Sequence, residues 1–216
     1  MWCIPKLTHE FKERMENLLD LYMKPQDPKE PVVCLDEKSK QLLEDSRPGH
    51  EVKPGKIAIR DYEYVRKGTA NIFVAVEPKG GKHYTQVTQR RTKQDYAKFF
   101  QDLIGHYPRA DRIHIVQDNL NTHSEASLIA AFGKRKTKKI MKRVEFHFTP
   151  KHASWLNMAE IEIGVLSRQC LKRRISSMKI LDHEVQAWTN QQNQTERKIS
   201  WKFDRKKAQK IFPTLY

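Results

Sequence analysis

The sequence predicts an α/β protein built on a mixed five-stranded sheet with helices on both faces. Short apolar runs of strand length are interspersed with longer segments whose apolar residues recur at helical spacing. The first three predicted strands follow one another directly, whereas a helix separates each of the later ones. A meander followed by strand–helix alternation is typical of a mixed sheet covered by helices.

The composition describes a soluble and strongly basic protein. Lys and Arg total 41 against 26 Asp and Glu, which gives a formal net charge of +15. Such an excess indicates binding to a polyanion, although a solvated basic surface has the same composition. No apolar run approaches the ~18 residues of a membrane span, so no membrane contact is expected. The three cysteines are too widely spaced for a disulfide framework or a zinc motif.

The N-terminal part begins with a predicted helix over residues 8–23, where apolar residues fall at helical spacing. A linker with three prolines then leads to a buried strand over residues 31–37. The polar segment 38–60 is predicted to be a long loop that crosses the face of the site.

The remaining elements follow from apolar runs and from the turn residues between them. Two or three strands are predicted around 62–67, 70–77 and 83–89, and the number of five strands counts the first two segments as one. The elements that follow are a helix from Thr92 to Pro108, a strand over 112–117, a helix over 124–132 ended by Gly133, a strand over 144–148, and helices over 156–171 and 181–192. Residues 201–213 are too short and too basic to assign.

Three acidic residues lie where a folded core does not favour a charge. Asp36 ends the apolar run of the first strand, Asp118 ends that of the fourth, and Glu160 lies in the apolar stretch that follows the fifth. A buried carboxylate without a partner costs ~2 kcal/mol or far more, so it usually pairs, is neutralised or binds metal. The ribonuclease-H-like fold has this order of elements, and its metal ligands lie at these three places.

Each acid also has a local alternative. A strand-end turn would explain Asp36, and an Asx turn would explain Asp118. Glu37 must point to the opposite face of its strand, where it would meet solvent or a Lys, or support the site. Helical periodicity does not choose between Glu160 and Glu162, which lie on the two flanks of one face.

Three sequence blocks resemble the catalytic blocks of insertion-sequence transposases of the 630 family. These are bacterial relatives of the mariner-type elements and have a DDE metal triad. The resemblance covers the chain from about Trp2 to beyond Arg174, and its last two blocks are long enough to be specific. The blocks are VCLDE (33–37), VQDNLNTH (116–123) and FTPKHASWLNMAE (148–160).

The resemblance implies the catalytic residues and the cofactor. It assigns Asp36, Asp118 and Glu160 as both the catalytic and the metal-binding triad, and it chooses Glu160 over Glu162. Asp36 would bridge two Mg²⁺ ions, with Asp118 on one and Glu160 on the other, and Mn²⁺ would substitute. Water would first cut the DNA strand, and the freed 3′-hydroxyl would then attack the target DNA. The implied activity is therefore DNA cleavage and strand transfer.

The resemblance also implies partners and organisation. Double-stranded DNA would be bound as element ends and as a target containing TA, in a complex held together by a homodimer. Family members of full length carry N-terminal helix-turn-helix modules, and the segment before Asp36 is too short for one. The chain is therefore expected to be a catalytic half, made from a second reading frame or truncated, with the element ends recognised by a separate N-terminal helix-turn-helix polypeptide or by a lost domain. We divide the chain into an N-terminal helix and linker (1–30), a catalytic domain (31–176) and a basic helical extension (177–216). The expected location is the bacterial cytoplasm, in association with the nucleoid.

Several basic and polar residues are candidates for contact with DNA. A further basic tract over 134–143 is predicted to be a loop-and-helix insertion between the second and third acids. Ordinary surface exposure, loop hydrogen bonding or helix capping is the alternative for each candidate. The candidates are Lys151, His152, Asn121, His123, Lys136, Lys138, Lys139, Arg173 and Arg174.

Two other functions are compatible with these features. One is a nuclease of the ribonuclease-H-like fold, although such enzymes usually carry four acids in the site. The other is a non-catalytic or relic DNA-binding protein that has kept the fold and the charge. Salt-sensitive DNA binding fits all three interpretations, so metal-dependent cleavage is the property that separates them.

Overall fold

The computed structural model describes residues 7–47, 54–55, 61–120 and 123–216. The strands are β1 (Val32–Asp45), β2 (Tyr64–Glu77), β3 (Lys82–Thr88), β4 (Ile113–Gln117) and β5 (Val144–Phe148). The helices are α1 (His9–Met23), α2 (Lys93–Gly105), α3 (Glu125–Met141), α4 (Ala159–Gln169), α5 (Met178–Thr195) and α6 (Arg205–Ile211). Among these helices, none is long and apolar enough to cross a bilayer.

The five strands form one mixed sheet in the order β3-β2-β1-β4-β5. Strands β1, β2 and β3 pair in antiparallel fashion, whereas β4 lies parallel to both β1 and β5. Parallel neighbours need long crossover connections, and α2 and α3 supply them before and after β4. The predicted mixed five-stranded sheet with intervening helices is thereby confirmed.

Both faces of the sheet are covered, and alternate residues of each strand enter different cores. On one face, Val33 and Leu35 pack with residues of α2 and α3. On the other, Cys34 and Val116 pack against α1, and Ile72 packs with residues of α4 and α5. Full burial of such side chains contributes about 1.5–3 kcal/mol each, and it fixes which face of β1 each residue occupies.

The start of two helices follows the sequence-based expectation. Thr8 accepts a hydrogen bond from the backbone nitrogen of Phe11 at 3.2 Å, so the predicted first helix and its cap are confirmed. Thr92 and Asp95 form a reciprocal capping box at the start of α2.

Strand β1 is longer than predicted. Residues 38–45 were expected to begin a loop, but they continue the strand because β2 supplies backbone partners as far as the pair Asp45 and Tyr64. The two strands predicted between 62 and 77 are one strand, whose pairing shifts opposite Leu42 and Leu43. Most of the remaining predicted loop, 48–53 and 56–60, lies outside the described residues.

Two predicted helices differ in their boundaries. Gly133 breaks α3 with φ 75° and ψ 162°, as expected of a helix stop, but the helix resumes and carries the basic tract to Met141. The helix predicted from residue 156 is interrupted, because a short 3₁₀ turn ends at Leu156 and α4 begins at Ala159.

The C-terminal segment packs against α1. Arg205 pairs with Asp20 and lies 3.1 Å from Glu16, and the rings of Trp201 and Tyr22 have centroids 5.4 Å apart. The first helix, the sheet and this segment therefore share one core. The division of the chain at residues 30 and 176 stays a prediction.

Candidate active site

The sheet and α4 bring the three predicted acids together. Cys34 of β1 pairs with Val116 of the parallel strand β4, so Asp36 and Asp118, two residues further along each strand, lie side by side. Glu160 lies in the first turn of α4, which packs on β1 and β2. Three acids that are far apart in sequence thus face one region at the carboxyl end of β4.

Asp36 is the most perturbed of the three carboxyl groups. It is 8% exposed, and burial raises its pKa to about 7. A hydrogen bond from the backbone nitrogen of Glu37 at 2.8 Å opposes this rise, while the negative charges of Glu160 and Asp118 add to it. A carboxyl group whose pKa is raised toward 7 by burial and by neighbouring negative charges is a common feature of functional sites.

Glu160 is more exposed than Asp36, but burial and the charge of Asp118 affect both carboxyl groups. Burial raises the pKa of Glu160, the charge of Lys38 opposes that rise, and the charge of Asp118 adds to it. Since Asp36, Asp118 and Glu160 influence one another electrostatically, they form one cluster of carboxylate oxygens. Mutually repelling carboxylates of this kind become compatible when a cation lies among them.

Asn157 ties the first acid to the helix of the third. Its side-chain nitrogen donates to the carbonyl of Leu35 at 2.8 Å and to Oδ2 of Asp36 at 3.3 Å. Its side-chain oxygen accepts from the backbone nitrogen of Ala159 at 3.1 Å, at the start of α4. Sequence reasoning missed this residue, although a buried amide within an apolar stretch was the available signal.

His123 lies between two carboxylates. Its Nδ1 atom is 2.6 Å from Oδ1 of Asp118, and its Nε2 atom is 2.8 Å from Oε2 of Glu37, a close ion-pair contact without hydrogen-bond alignment. Burial lowers the pKa of His123, but the two carboxylates outweigh burial and raise that pKa to about 9. The ring is therefore an imidazolium at neutral pH.

Neighbouring side chains fix the His123 ring. Tyr96 stacks on it with centroids 4.9 Å apart, and the Tyr96 hydroxyl donates to Gln117 at 2.8 Å. Gln117 in turn donates to the backbone carbonyl of His123 at 3.0 Å. The second acid is therefore oriented by an ordered network behind β4.

These contacts correct two predictions. Glu37 was expected to meet solvent or a Lys, with support of the site as the alternative; its side chain is only 4% exposed and contacts His123 and Arg91, which favours that alternative. His123 was a candidate for DNA contact, but its buried ring fits the alternative of hydrogen bonding within the loop. Asn121, the other candidate in this loop, lies outside the described residues.

Glu162, the rival of Glu160, has partners of its own. Arg197 donates to both of its oxygens at 2.8 and 2.7 Å, and His83 Nε2 lies 3.0 Å from Oε2. The Glu162 side chain is 1% exposed. Since these groups neutralise Glu162 within the fold, the structure favours Glu160 as the third member of the acidic cluster.

Most of the remaining DNA-contact candidates lie on the surface. Lys136 donates to Gln101 at 2.8 Å, and His152 adopts a positive φ of 62° in the turn between β5 and α4. Contact with DNA stays a prediction for all of the exposed candidates. These are Lys151, His152, Lys136, Lys138, Lys139 and Arg173.

Arg174 is engaged within the fold. Its guanidinium donates to Asp45 at 2.6 Å and to the carbonyl of Glu63 at 2.8 Å, at the far end of β1. Asp45 is nine residues beyond Asp36 on the strand, which is roughly 30 Å at the usual rise. Arg174 and its neighbour Arg173, which pairs with a glutamate of α5, are therefore remote from the acidic cluster.

Comparisons with known proteins agree with this architecture. Residues 31–182 match the family model described as "DDE superfamily endonuclease". A sequence comparison with curated proteins gives no match. Among solved structures, the chain resembles the Mos1 mariner paired-end complex with Mn, with 17% identity and a TM-score of 0.58 over 91% of this chain.

Two further Mos1 structures give similar results. The pre-cleavage Mos1 transpososome is 16% identical with a TM-score of 0.57, over 93% of this chain and 67% of that one. The Mos1 strand transfer complex is 17% identical with a TM-score of 0.56, over 88% of this chain and 57% of that one. This chain spans 60% of the Mos1 chain in the paired-end complex. At this identity the likeness concerns the fold, and the predicted ribonuclease-H-like sheet is confirmed.

Proposed function

This chain belongs to the DDE superfamily of endonucleases, and we propose that within this family it is the catalytic domain of a DNA transposase. The observation that carries the proposal is the convergence of Asp36, Asp118 and Glu160 at the carboxyl end of β4, in a basic protein. The fold neighbours are described as paired-end, pre-cleavage and strand transfer complexes of a mariner transposon, which supports transposition over simple nuclease activity.

The acidic cluster fits a pair of hard divalent cations. All of its ligand atoms are carboxylate oxygens, which suit Mg²⁺ and Mn²⁺. Burial raises the pKa of Asp36 and two neighbouring like charges add to that rise, so a cation would relieve both the burial of the charge and the repulsion. Asp36, Asp118 and Glu160 would hold these ions. Such ions supply activation of the attacking oxygen and stabilisation of the leaving oxygen.

The chain's own side chains hold this arrangement in place. Asn157 fixes Asp36 relative to the start of α4, and His123 fixes Asp118 from behind. Glu37 lies on the other side of the His123 imidazolium and balances its charge, so Asp118 is not the ring's only counter-ion. These contacts preorganise the ligands before any ion or DNA arrives, and residues of this kind typically affect metal affinity by about 10–100-fold.

The finer assignments are also part of the proposal. We infer that the chain belongs to the insertion-sequence 630 group, depends on Mg²⁺, binds element ends and a TA target, and acts as a homodimer in the bacterial cytoplasm. The sequence blocks around the three acids and the net charge of +15 support this inference. A separate helix-turn-helix polypeptide is a prediction of the sequence alone and has no further support.

The test is metal-dependent nicking and strand transfer on duplex DNA. Wild type is compared with Asp118→Ala and with Asp182→Ala, a matched change at an exposed aspartate of α5. We expect activity in wild type and Asp182→Ala only, with DNA affinity retained by all three proteins. Equal activity in Asp118→Ala would overturn the proposal.

Two other outcomes identify the rival functions. Cleavage of RNA–DNA hybrids without strand transfer would indicate a ribonuclease-H-like nuclease. A folded chain that binds DNA but cleaves nothing, even when an upstream helix-turn-helix module is added in trans, would indicate a relic binding protein.

A further inference from the structure

A second cluster of metal-ligand side chains lies on β4 and β5, on the face covered by α1. In the strand register His114 pairs with Glu145, and Val116 pairs with His147. Paired positions and those two residues apart share a face, so the three ligand-type side chains point the same way. None of them belongs to the acidic cluster of Asp36.

The ligand atoms of this cluster lie close together. His114 Nδ1 is 3.0 Å from His147 Nε2. The Glu145 carboxylate lies 3.9 Å from the first of these nitrogens and 3.5 Å from the second. All three ligand atoms thus fall within 4.8 Å of one another.

The hydrogen bond made by His147 fixes which of its nitrogens is available. Its Nδ1 atom is 2.7 Å from Oδ1 of Asn17 on α1. An amide oxygen only accepts, so Nδ1 carries the hydrogen and Nε2 of the neutral ring has a bare lone pair. Burial of the ring also lowers the pKa of His147, which favours this neutral form.

The outer nitrogen of His114 faces a carboxylate without a hydrogen bond. Its Nε2 atom is buried, makes no hydrogen bond, and faces Oε2 of Glu30 at 3.8 Å. A histidine that ligates metal usually directs its other nitrogen at a carboxylate or an amide, which fixes the ring. His114 Nδ1 lies within hydrogen-bond distance of His147 Nε2, at 3.0 Å, so in the metal-free protein a hydrogen on His114 Nδ1 joins the two rings. When a cation displaces that hydrogen, both facing nitrogens offer it a lone pair, and His114 Nε2 carries the remaining hydrogen toward Glu30.

We infer that His114, Glu145 and His147 form a binding site for a transition-metal ion of the Zn²⁺ type. Two imidazoles and a carboxylate suit Zn²⁺ better than Mg²⁺. At the usual Zn–N length of about 2.0–2.1 Å, two nitrogens on a tetrahedral ion lie about 3.3 Å apart. The observed 3.0 Å is therefore within a few tenths of an ångström of that separation.

The surroundings allow entry and suggest a structural role. The Glu145 side chain is partly exposed and Arg112 contacts it at 2.9 Å, so an ion would compete with the arginine for this carboxylate. A bound ion would join β4 to β5, which is an edge strand, beneath α1. Asp118 follows β4 directly, so the ion would stabilise the strand that carries the second acid of the candidate active site.

The experiment is calorimetric titration of Zn²⁺ into metal-free protein whose acidic cluster is silenced by Asp118→Asn and Glu160→Gln. We expect one site, with the melting temperature raised by roughly 5–10 °C at a 100-fold excess over Kd. The change His147→Gln should weaken binding at least 10-fold. The matched control His183→Gln, at an exposed histidine of α5, should leave binding unchanged.

A second variant guards against misfolding of the first. Glu145 is partly exposed, so Glu145→Gln is expected to fold while still weakening Zn²⁺ binding. Equal Zn²⁺ affinity in His147→Gln, Glu145→Gln and the control would overturn the inference. So would the absence of binding to the folded parent protein, since a shared proton would then join the two rings.

Discussion

His123 Nδ1 lies 2.6 Å from Oδ1 of Asp118, and the imidazole between Asp118 and Glu37 is completely buried. The second acid of the candidate active site is thus held by a charged ring that is itself balanced by another acid. Asp118 keeps its second oxygen for an ion, because His123 contacts only the first. Removal of the ring should therefore loosen the metal ligand without removing it.

The change His123→Ala is expected to lower metal-dependent cleavage by about 10–100-fold and to raise the Mg²⁺ concentration needed for half-maximal activity. DNA affinity should stay unchanged, because the ring does not reach the surface. Cleavage rates measured over a range of Mg²⁺ concentrations test this, with His183→Ala as the control. Wild-type activity at limiting Mg²⁺ would refute a positioning role for His123.

Glu37→Gln keeps the shape of the side chain and removes its charge. The two carboxylates raise the pKa of His123 to about 9, so loss of one should lower that pKa. The measurement is an NMR titration of the His123 ring in metal-free protein, wild type against variant. An unchanged pKa would mean that Asp118 alone sustains the imidazolium.

Metal-free protein should lose stability as the pH rises through the titration of Asp36. The pKa of this group is raised to about 7 by burial, above its ordinary value near 4. The folded state therefore favours the protonated form, so the stabilisation is complete at low pH and is lost between about pH 4 and pH 7. Asp36→Asn, which resembles the protonated form, should escape this loss.

Chemical denaturation in EDTA at pH 5 and pH 8 measures the effect. The difference between wild type and Asp36→Asn should change by at most about 2.7 kcal/mol, since about two of the three pKa units are titrated between these pH values and one unit corresponds to about 1.4 kcal/mol. Added Mg²⁺ should restore wild-type stability at pH 8. Parallel pH profiles for the two proteins would contradict the raised pKa.

Glu160 and Glu162 should respond in opposite ways to the same substitution. Glu162→Gln disrupts a buried cluster with Arg197 and His83, so it should destabilise the fold by about 3 kcal/mol. Glu160→Gln removes a repelling charge, so it should leave stability unchanged or improved while abolishing cleavage. Denaturation curves and cleavage assays on both variants decide the matter. If Glu162→Gln lost activity without losing stability, Glu162 rather than Glu160 would be the third acid of the site.

The sequence predicted those elements whose signal is local. Strand β4 is a near-continuous apolar run and β5 alternates apolar and polar residues, each between turns, and their predicted limits agree with the structure to within one residue. The far half of β1 was missed because its polar residues 38–45 resemble a loop until β2 pairs with them. Polar strands of this kind form because a distant strand pairs with them, and local composition does not predict that pairing.

The site was predictable in part for the same reason. Asp36 and Asp118 could be placed because each ends an apolar run, and the order of these runs along the chain is known. The role of His123 could not, because it depends on Glu37 from another strand. Helical periodicity could not choose between Glu160 and Glu162. The ion pair of Glu162 with Arg197, 35 residues further along the chain, favours Glu160.

The most direct test of the candidate active site is anomalous diffraction from crystals of the protein grown with Mn²⁺. We predict Mn²⁺ density in contact with the carboxylate of Asp36 and with Asp118 or Glu160. Occupied Mn²⁺ sites elsewhere, with these three carboxylates left without an ion, would contradict the proposed metal-dependent chemistry.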